Sequence, residues 1–247
     1  MSDILQHEIG EDLNLAYRHR EGRGPTIIFL PGYMSDMDGG KAAALDAWAE
    51  AEGRAMLRFD YAGCGQSGGE FETQTLHGWR GDVLAMIDEV AEEGPVVLVG
   101  SSMGGWLMLL AALARPQRVA GLVGIAAAPD FTDWGFSQEQ KIRILSEGRL
   151  EEPSPYGETP YVTTRAFWES GEALRLLHAP IAIDCPVRLV HGQADTDVSW
   201  TWSLELMKLI RSADVQTAIV KDGDHRLSRE SDLALLVATV STLMESL

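Results

Sequence analysis

The sequence predicts an α/β fold, a mostly parallel central sheet flanked by helices, on three observations. Short apolar runs alternate with longer stretches of helical periodicity, as successive βαβ units require. One run, Val96-Val97-Leu98-Val99, has no polar alternation, which is expected of a central parallel strand covered on both faces. Hydrophobic residues make up 45% of the 247 residues, enough to bury a large core and to set disorder aside. A chain of this length routinely forms one α/β domain, so 1–247 is read as a single domain.

The elements follow in order. The piece before Pro25 reads as a hairpin with its turn near Gly10-Glu11-Asp12. Thr26-Ile27-Ile28-Phe29-Leu30 is the first clear strand, stopped by Pro31-Gly32. A helix over 41–52 places Ala44, Leu45 and Trp48 on one face. Strand 55–61 leads into the Gly-rich loop Gly63-Cys64-Gly65-Gln66-Ser67-Gly68-Gly69, and helix 79–92 carries Val83, Ile87 and Val90 before Gly94-Pro95. The buried run at Val96 opens directly into an apolar helix over 103–115, and strand 119–126 follows. Strand 187–190, helix 199–211, strand 215–220 and a final helix near 228–247 complete the alternation.

Between Asp130 and Ile181 the alternation pauses, and no strand is expected there. Seven of the 18 aromatics lie in this stretch: Phe131, Trp134, Phe136, Tyr156, Tyr161, Phe167 and Trp168. A long insertion between sheet strands is commonly a cover over a site, so residues 130–181 are read as a lid. Packing of the same aromatics onto the core is the alternative.

Charge and cysteine content exclude several function classes. A formal charge of −17 repels phosphates, so neither nucleic acid nor an anionic membrane is an expected partner. No apolar run approaches the ~18 residues that span a bilayer, which leaves a small-molecule or acylated substrate as the expected partner. The first residues show neither a basic cluster nor an apolar stretch of the kind that directs secretion. With only Cys64 and Cys185, a disulfide framework is not expected, and a reducing cytoplasm is the natural location. Either thiol is more readily a small buried hydrophobe than a nucleophile.

Acyl transfer needs a hydroxyl activated by a base, with donors waiting for the oxyanion. A Gly-x-Ser-x-Gly pattern supplies the tight turn that exposes such a serine, and the chain contains it twice. Gly65-Gln66-Ser67-Gly68-Gly69 runs into Glu70-Phe71-Glu72-Thr73, which opens no apolar helix. Gly100-Ser101-Ser102-Met103-Gly104 follows a buried strand and opens a helix containing Leu107, Met108, Leu109 and Leu110. Ser102 is therefore the candidate nucleophile.

An acid and a histidine follow the serine in chain order. Of six histidines only His225 lies in the loop after the penultimate strand, Lys221-Asp222-Gly223-Asp224-His225. His191, at a strand end, is expected to make a structural hydrogen bond. Asp195, in the turn Gly192-Gln193-Ala194-Asp195 at the carboxyl end of a strand, leads as the acid. Asp130 also follows a strand and is its rival, while Asp197 is read as solvated. The oxyanion donors expected are the backbone N–H of Met103 and that of Tyr33, after the Pro31-Gly32 turn. No metal site is read: His191 and Asp195 are four apart, but on a strand end rather than one helix face. No cofactor is called for, and the Gly63–Gly69 loop lacks the Gly-Lys-Ser/Thr of a phosphate cradle.

These segments together resemble the α/β-hydrolase family along essentially the whole chain, which implies the α/β-hydrolase fold. Leu30-Pro31-Gly32 is similar to the family's oxyanion loop, and Gly192-Gln193-Ala194-Asp195-Thr196-Asp197-Val198 to its acid turn. Asp60-Tyr61-Ala62-Gly63-Cys64-Gly65-Gln66-Ser67 resembles a structural segment of the family, which implies that Ser67 is not the nucleophile. A narrower likeness, carried by 58–65, 100–108 and Asp224-His225-Arg226, is to its mitochondrial palmitoyl-protein thioesterase branch, known also as acyl-glucuronide esterases. That likeness implies hydrolysis of an S-acyl thioester or an activated acyl ester. Lacking a presequence, the chain is read as a bacterial, cytosolic relative. Two other readings remain: a different chemistry on the same scaffold, such as a carbon–carbon bond hydrolase or cofactor-free haloperoxidase, and a ligand-binding protein without catalysis.

Overall fold

The computed structural model describes residues 3–10, 13–91, 93–154 and 157–247. Its main sheet has eight strands. Along the chain these are β1 (Leu5–Gly10), β2 (Leu13–Arg20), β3 (Arg23–Leu30), β4 (Arg54–Phe59), β5 (Val96–Ser101) and β6 (Val119–Ile125). A two-stranded sheet of β7 (Arg149–Glu152) and β8 (Tyr161–Thr164) stands apart, and β9 (Val187–Gly192) and β10 (Val215–Val220) finish the main one. Its order is β1-β2-β4-β3-β5-β6-β9-β10. Strands β1 and β2 pair antiparallel, as does β2 with β4, and every other neighbour pair is parallel. The expected amino-terminal hairpin is present, with Glu11 and Asp12 of its turn outside the described residues.

Strand β5 lies at the centre with all six residues buried, as its unbroken apolar run predicts. Alternate side chains point to opposite faces. Val97 and Val99 pack under helices α1 (Gly40–Glu52) and α8 (Glu230–Ser246), against Leu45, Ala49, Val240 and Leu243. Val96 and Leu98 face the other way, toward α2 (Leu76–Ala85) and α3 (Met103–Ala114), among Trp79, Val83, Trp106 and Leu110. A further helix, α7 (Thr201–Leu209), joins that second layer. Each fully buried aliphatic side chain contributes about 1.5–3 kcal/mol, so the double cover is what holds the central strands in place.

Two expectations need correction. The helix read over 79–92 begins three residues earlier, where the Thr75 hydroxyl accepts the Gly78 N–H at 3.0 Å as an N-cap. It ends in a π-turn over Met86–Val90, closed by Ala91 N–H to the Met86 carbonyl at 2.8 Å, while Glu92 lies outside the described residues. The stretch 130–181, read as strandless, holds the β7–β8 hairpin between helices α4 (Phe131–Trp134), α5 (Gln138–Glu147) and α6 (Arg165–Ala173). These strands are four residues long and each buries only one or two side chains, too little alternation to register as a strand pattern.

The turn from β5 into α3 is closed by backbone contact. A Cβ on Gly104 would lie 2.1 Å from the Leu30 carbonyl oxygen, so only glycine lets α3 start against the end of β3. Gly104→Ala is expected to cost about 3 kcal/mol, lowering Tm by roughly 6–12 °C. Gly81→Ala, on an exposed face of α2 with open space around its Cβ, should instead stabilise by about 0.5–1 kcal/mol. Thermal denaturation of both variants checks the pair, and equal behaviour would contradict the packing argument.

Candidate active site

Ser102 sits between β5 and α3 with φ 54° and ψ −117°, a conformation that a non-glycine residue adopts only under constraint. The constraint is visible. Its N–H donates to the Ile125 carbonyl at 2.9 Å, and its carbonyl accepts from Gly105 at 2.9 Å and Ala128 at 3.0 Å. Those bonds tie the turn to the end of β6 and present the hydroxyl to a cavity of about 630 Å³.

His225 and Asp195 come from two loops pressed together beyond β9 and β10. A Cβ on Gly192 would lie 2.2 Å from the Gly223 carbonyl oxygen, so the β9 turn and the β10 loop meet at a residue without a side chain. Ala194 N–H to Gly223 O at 2.9 Å and Gln193 N–H to Val220 O at 2.8 Å hold the approach. His225 Nε2 then lies 3.2 Å from Ser102 Oγ, and His225 Nδ1 lies 2.8 Å from Asp195 Oδ2. Asp195 Oδ1 accepts from the N–H groups of Asp197 and Val198, both at 2.9 Å. His191, fully buried on β9, brings Nε2 to 3.2 Å from the same Oδ2. Burial works to raise the Asp195 carboxyl, but hydrogen bonds from His191, His225 and Val198, with the His225 charge, hold it well below the usual carboxylate range.

The N–H groups of Tyr33 and Met103 have no hydrogen-bond partner among the described residues. Met103 is the first residue of α3, where an N–H is left over by helix geometry. The Tyr33 phenol takes a separate role: it donates to the Val162 carbonyl in β8, and its ring packs edge-on against Phe71, Trp79 and Phe131. Its burial pushes the phenol well above the ordinary range.

A family model described as "Serine aminopeptidase, S33" matches residues 24–146. Over 238 residues the chain is 44% identical to the human protein named Palmitoyl-protein thioesterase ABHD10, mitochondrial, covering 95% of this chain and 78% of that one. The chain belongs to the α/β-hydrolase family. Among solved structures, the hydrolase superposes on alpha/beta hydrolase domain-containing protein 10 from mouse with a TM-score of 0.92, at 41% identity over 99% of both chains. A protein of Agrobacterium vitis S4 gives a TM-score of 0.91 at 35% identity, over 99% of this chain and 98% of that one.

Several sequence candidates have other work in this hydrolase. Ser67, the other Gly-x-Ser-x-Gly serine, donates to the Asp60 carbonyl at 2.6 Å and accepts the Ala16 N–H at 2.8 Å. The Asp60 carboxylate braces the same loop through Met37 and Gln66 N–H groups at 2.7 and 2.8 Å. Asp130 accepts from Leu176 and Leu177 N–H groups at 2.8 Å each, pinning the far end of the insertion to its start. Burial pushes the thiol of Cys64 up to about 12 and that of Cys185 to about 11, which disfavours either as a thiolate. Asp197 is exposed, as read.

The sequence reading missed Lys41, at the start of α1, which lines the cavity with His225 and donates from Nζ to the Arg226 carbonyl at 2.5 Å. Burial lowers its ammonium to about 8, with Arg226 adding to the effect and Asp224 opposing it. No local pattern marks it, because its proximity to the His225 loop comes only from α1 packing on α8. The structural hydrogen bonding expected of His191 goes to Asp195, Val198 and Ser203, and its four-residue spacing from Asp195 is the sequence signal for the first of these.

Because the Asp195 carboxyl is depressed in the folded state, its stabilisation is complete above the unfolded value of about 3.9 and is lost as pH falls below that. The difference in unfolding free energy between wild type and Asp195→Asn is therefore expected to shrink between pH 5 and 2.5. Urea denaturation across that range tests it, and a constant difference would contradict the assignment.

Proposed function

We propose that the hydrolase cleaves carboxylic esters or thioesters by two-step acyl transfer, with Ser102 as nucleophile, His225 as base and Asp195 orienting the imidazole. The observation that carries this reading is the continuous line from Ser102 Oγ through His225 to Asp195, at 3.2 and 2.8 Å, beside an open cavity. Ser102 Oγ attacks the acyl carbon as its proton passes to His225 Nε2. The resulting oxyanion is met by the Tyr33 and Met103 N–H groups, each such donor being worth about 3–4 kcal/mol of barrier. Collapse breaks the C–O or C–S bond, and His225 returns the proton to the leaving alcohol or thiol. Water then gives a proton to His225 and attacks the acyl-serine, releasing the acid and restoring the Ser102 hydroxyl. Side chains and water complete the cycle.

Residues 130–181 serve as the lid of a single domain in this reading. Phe131, Trp134, Phe136 and Tyr161 from that stretch line the cavity, which supports an apolar acyl group as the occupant; Tyr156 lies outside the described residues. Phe167 is instead buried in the core, and Trp168 donates to the Thr132 carbonyl at 2.9 Å, so those two serve packing. The name of the human relative supports long S-acyl thioesters as the substrate class. Two free thiols fit a reducing compartment, and the cytoplasm is the location we assign. Among the described residues no helix is long and apolar enough to cross a membrane.

A hydrolysis panel of p-nitrophenyl esters of graded chain length and a long-chain S-acyl cysteine peptide tests the reading. Wild type is expected to favour the S-acyl peptide, and Ser102→Ala to lose about 10⁴-fold or more in kcat. Turnover of short esters alone would remove the thioester assignment. Equal rates for the two proteins would remove the mechanism.

A further inference from the structure

Asp195 does not serve His225 alone. Its Oδ2 lies 2.8 Å from His225 Nδ1 and 3.2 Å from His191 Nε2, so two imidazoles converge on one carboxylate oxygen. Hydrogen-bond accounting fixes the polarity of the second contact. His191 Nε2 also lies 2.9 Å from the Val198 carbonyl, and both of its neighbours are acceptors, so Nε2 carries the proton and shares it between them. His191 Nδ1 lies 2.8 Å from Ser203 Oγ on α7; in the neutral ring it accepts the Ser203 hydroxyl. Both His191 and Ser203 are buried, and nothing polar from solvent competes for either ring nitrogen.

We propose that His191 is a positioning residue of the hydrolase, which aims Asp195 Oδ2 at His225 and draws off part of its charge through the shared oxygen. This rests on the functional reading above for its effect on turnover, but not for its effect on His225. The two consequences differ in kind. Aiming is geometric: with Oδ1 fixed by Asp197 and Val198 N–H groups, the His191 N–H fixes the remaining rotation of the carboxylate. Charge sharing is electrostatic: a donor on Oδ2 takes up part of the negative charge that faces His225 Nδ1, which weakens the pull of Asp195 on that ring. Ser203 sets the arrangement from behind by holding the ring with Nε2 facing Asp195.

The other charged or titratable groups around the pair are Asp197 in the acid turn, Asp224 and Arg226 flanking His225, Lys41 from α1, and Asp36 and Tyr161 across the cavity. His191 hydrogen-bonds to none of them, its partners being Asp195, Val198 and Ser203. A shift confined to His191 variants is therefore attributable to the shared oxygen.

The test compares wild type, His191→Leu, His191→Gln and Ser203→Ala. Leucine removes the donor, glutamine keeps an N–H at similar reach, and Ser203→Ala leaves the ring but frees its far side. For His191→Leu, kcat is expected to fall about tenfold with KM little changed. The acid limb of the kcat/KM profile should move up by about half a pH unit, glutamine should recover most of both effects, and Ser203→Ala should give a smaller shift of the same sign. The His225 ring titration, followed by NMR, should move in parallel and needs no substrate. Unchanged limb and ring titrations in folded His191→Leu or Ser203→Ala would overturn the proposal and leave His191 a packing residue. A ring titration that moves in a protein lacking Ser102-dependent turnover would uphold the proposal and overturn only the functional reading. Should His191→Leu fail to fold, Ser203→Ala and His191→Gln carry the comparison.

Discussion

The Asp195 carboxylate, with no side-chain exposure to solvent, is the point from which the rest of the site is arranged. A buried carboxylate is costly unless its lone pairs are met, and here four donors meet them: two backbone N–H groups and two histidines. Meeting them fixes the Gly192–Val198 turn, and that turn can lie where it does only because Gly192 and Gly223 touch without side chains. The loop bearing His225 is thereby set against the serine turn, although the two are far apart in the chain. Ionisation of one buried group thus accounts for the placement of a histidine, and through it for the environment of Ser102.

The sheet supplies the rigidity that such an arrangement needs. β5, β6, β9 and β10 lie side by side in parallel, so their carboxyl ends form one edge, and Ser102, Asp195 and His225 all stand at that edge. Apolar cover on both faces keeps those ends in register, while the strained Ser102 backbone is held by bonds to β6. The insertion is anchored in turn at its base, by Asp130 to Leu176 and Leu177 and by Tyr33 to β8. Tyr33 therefore belongs to two structures at once, lining the cavity with Ser102 and holding the insertion through its phenol.

Most of this was legible where residues repeat or punctuate. Val96–Val99 marked the central strand, and the elbow was separated from its decoy at Ser67 by the apolar helix that follows only Ser102. Asp195 and His225, which lie in hydrogen-bond reach of one another, and His225 also of Ser102, stand out as candidates in the sequence because each follows a strand end. What escaped is long-range or short. The strands at Leu150 and Val162 bury too few side chains to show a period of two. The placement of Lys41 depends on which helix packs beside the His225 loop, and the shared oxygen between His191 and His225 depends on the folding of a turn. Asp130 is a rival to Asp195 in the sequence because both follow a strand end, and sequence position does not distinguish a carboxylate that faces histidine from one that faces backbone N–H groups.

The central claim is that Ser102 is an activated nucleophile, and the most direct measurement is intact-mass detection of a fluorophosphonate adduct followed by peptide mapping. The account predicts one adduct per chain, carried by the peptide containing Ser102 and lost in both Ser102→Ala and His225→Ala. An unlabelled wild-type protein, or an adduct on Ser67 or another serine, would contradict it.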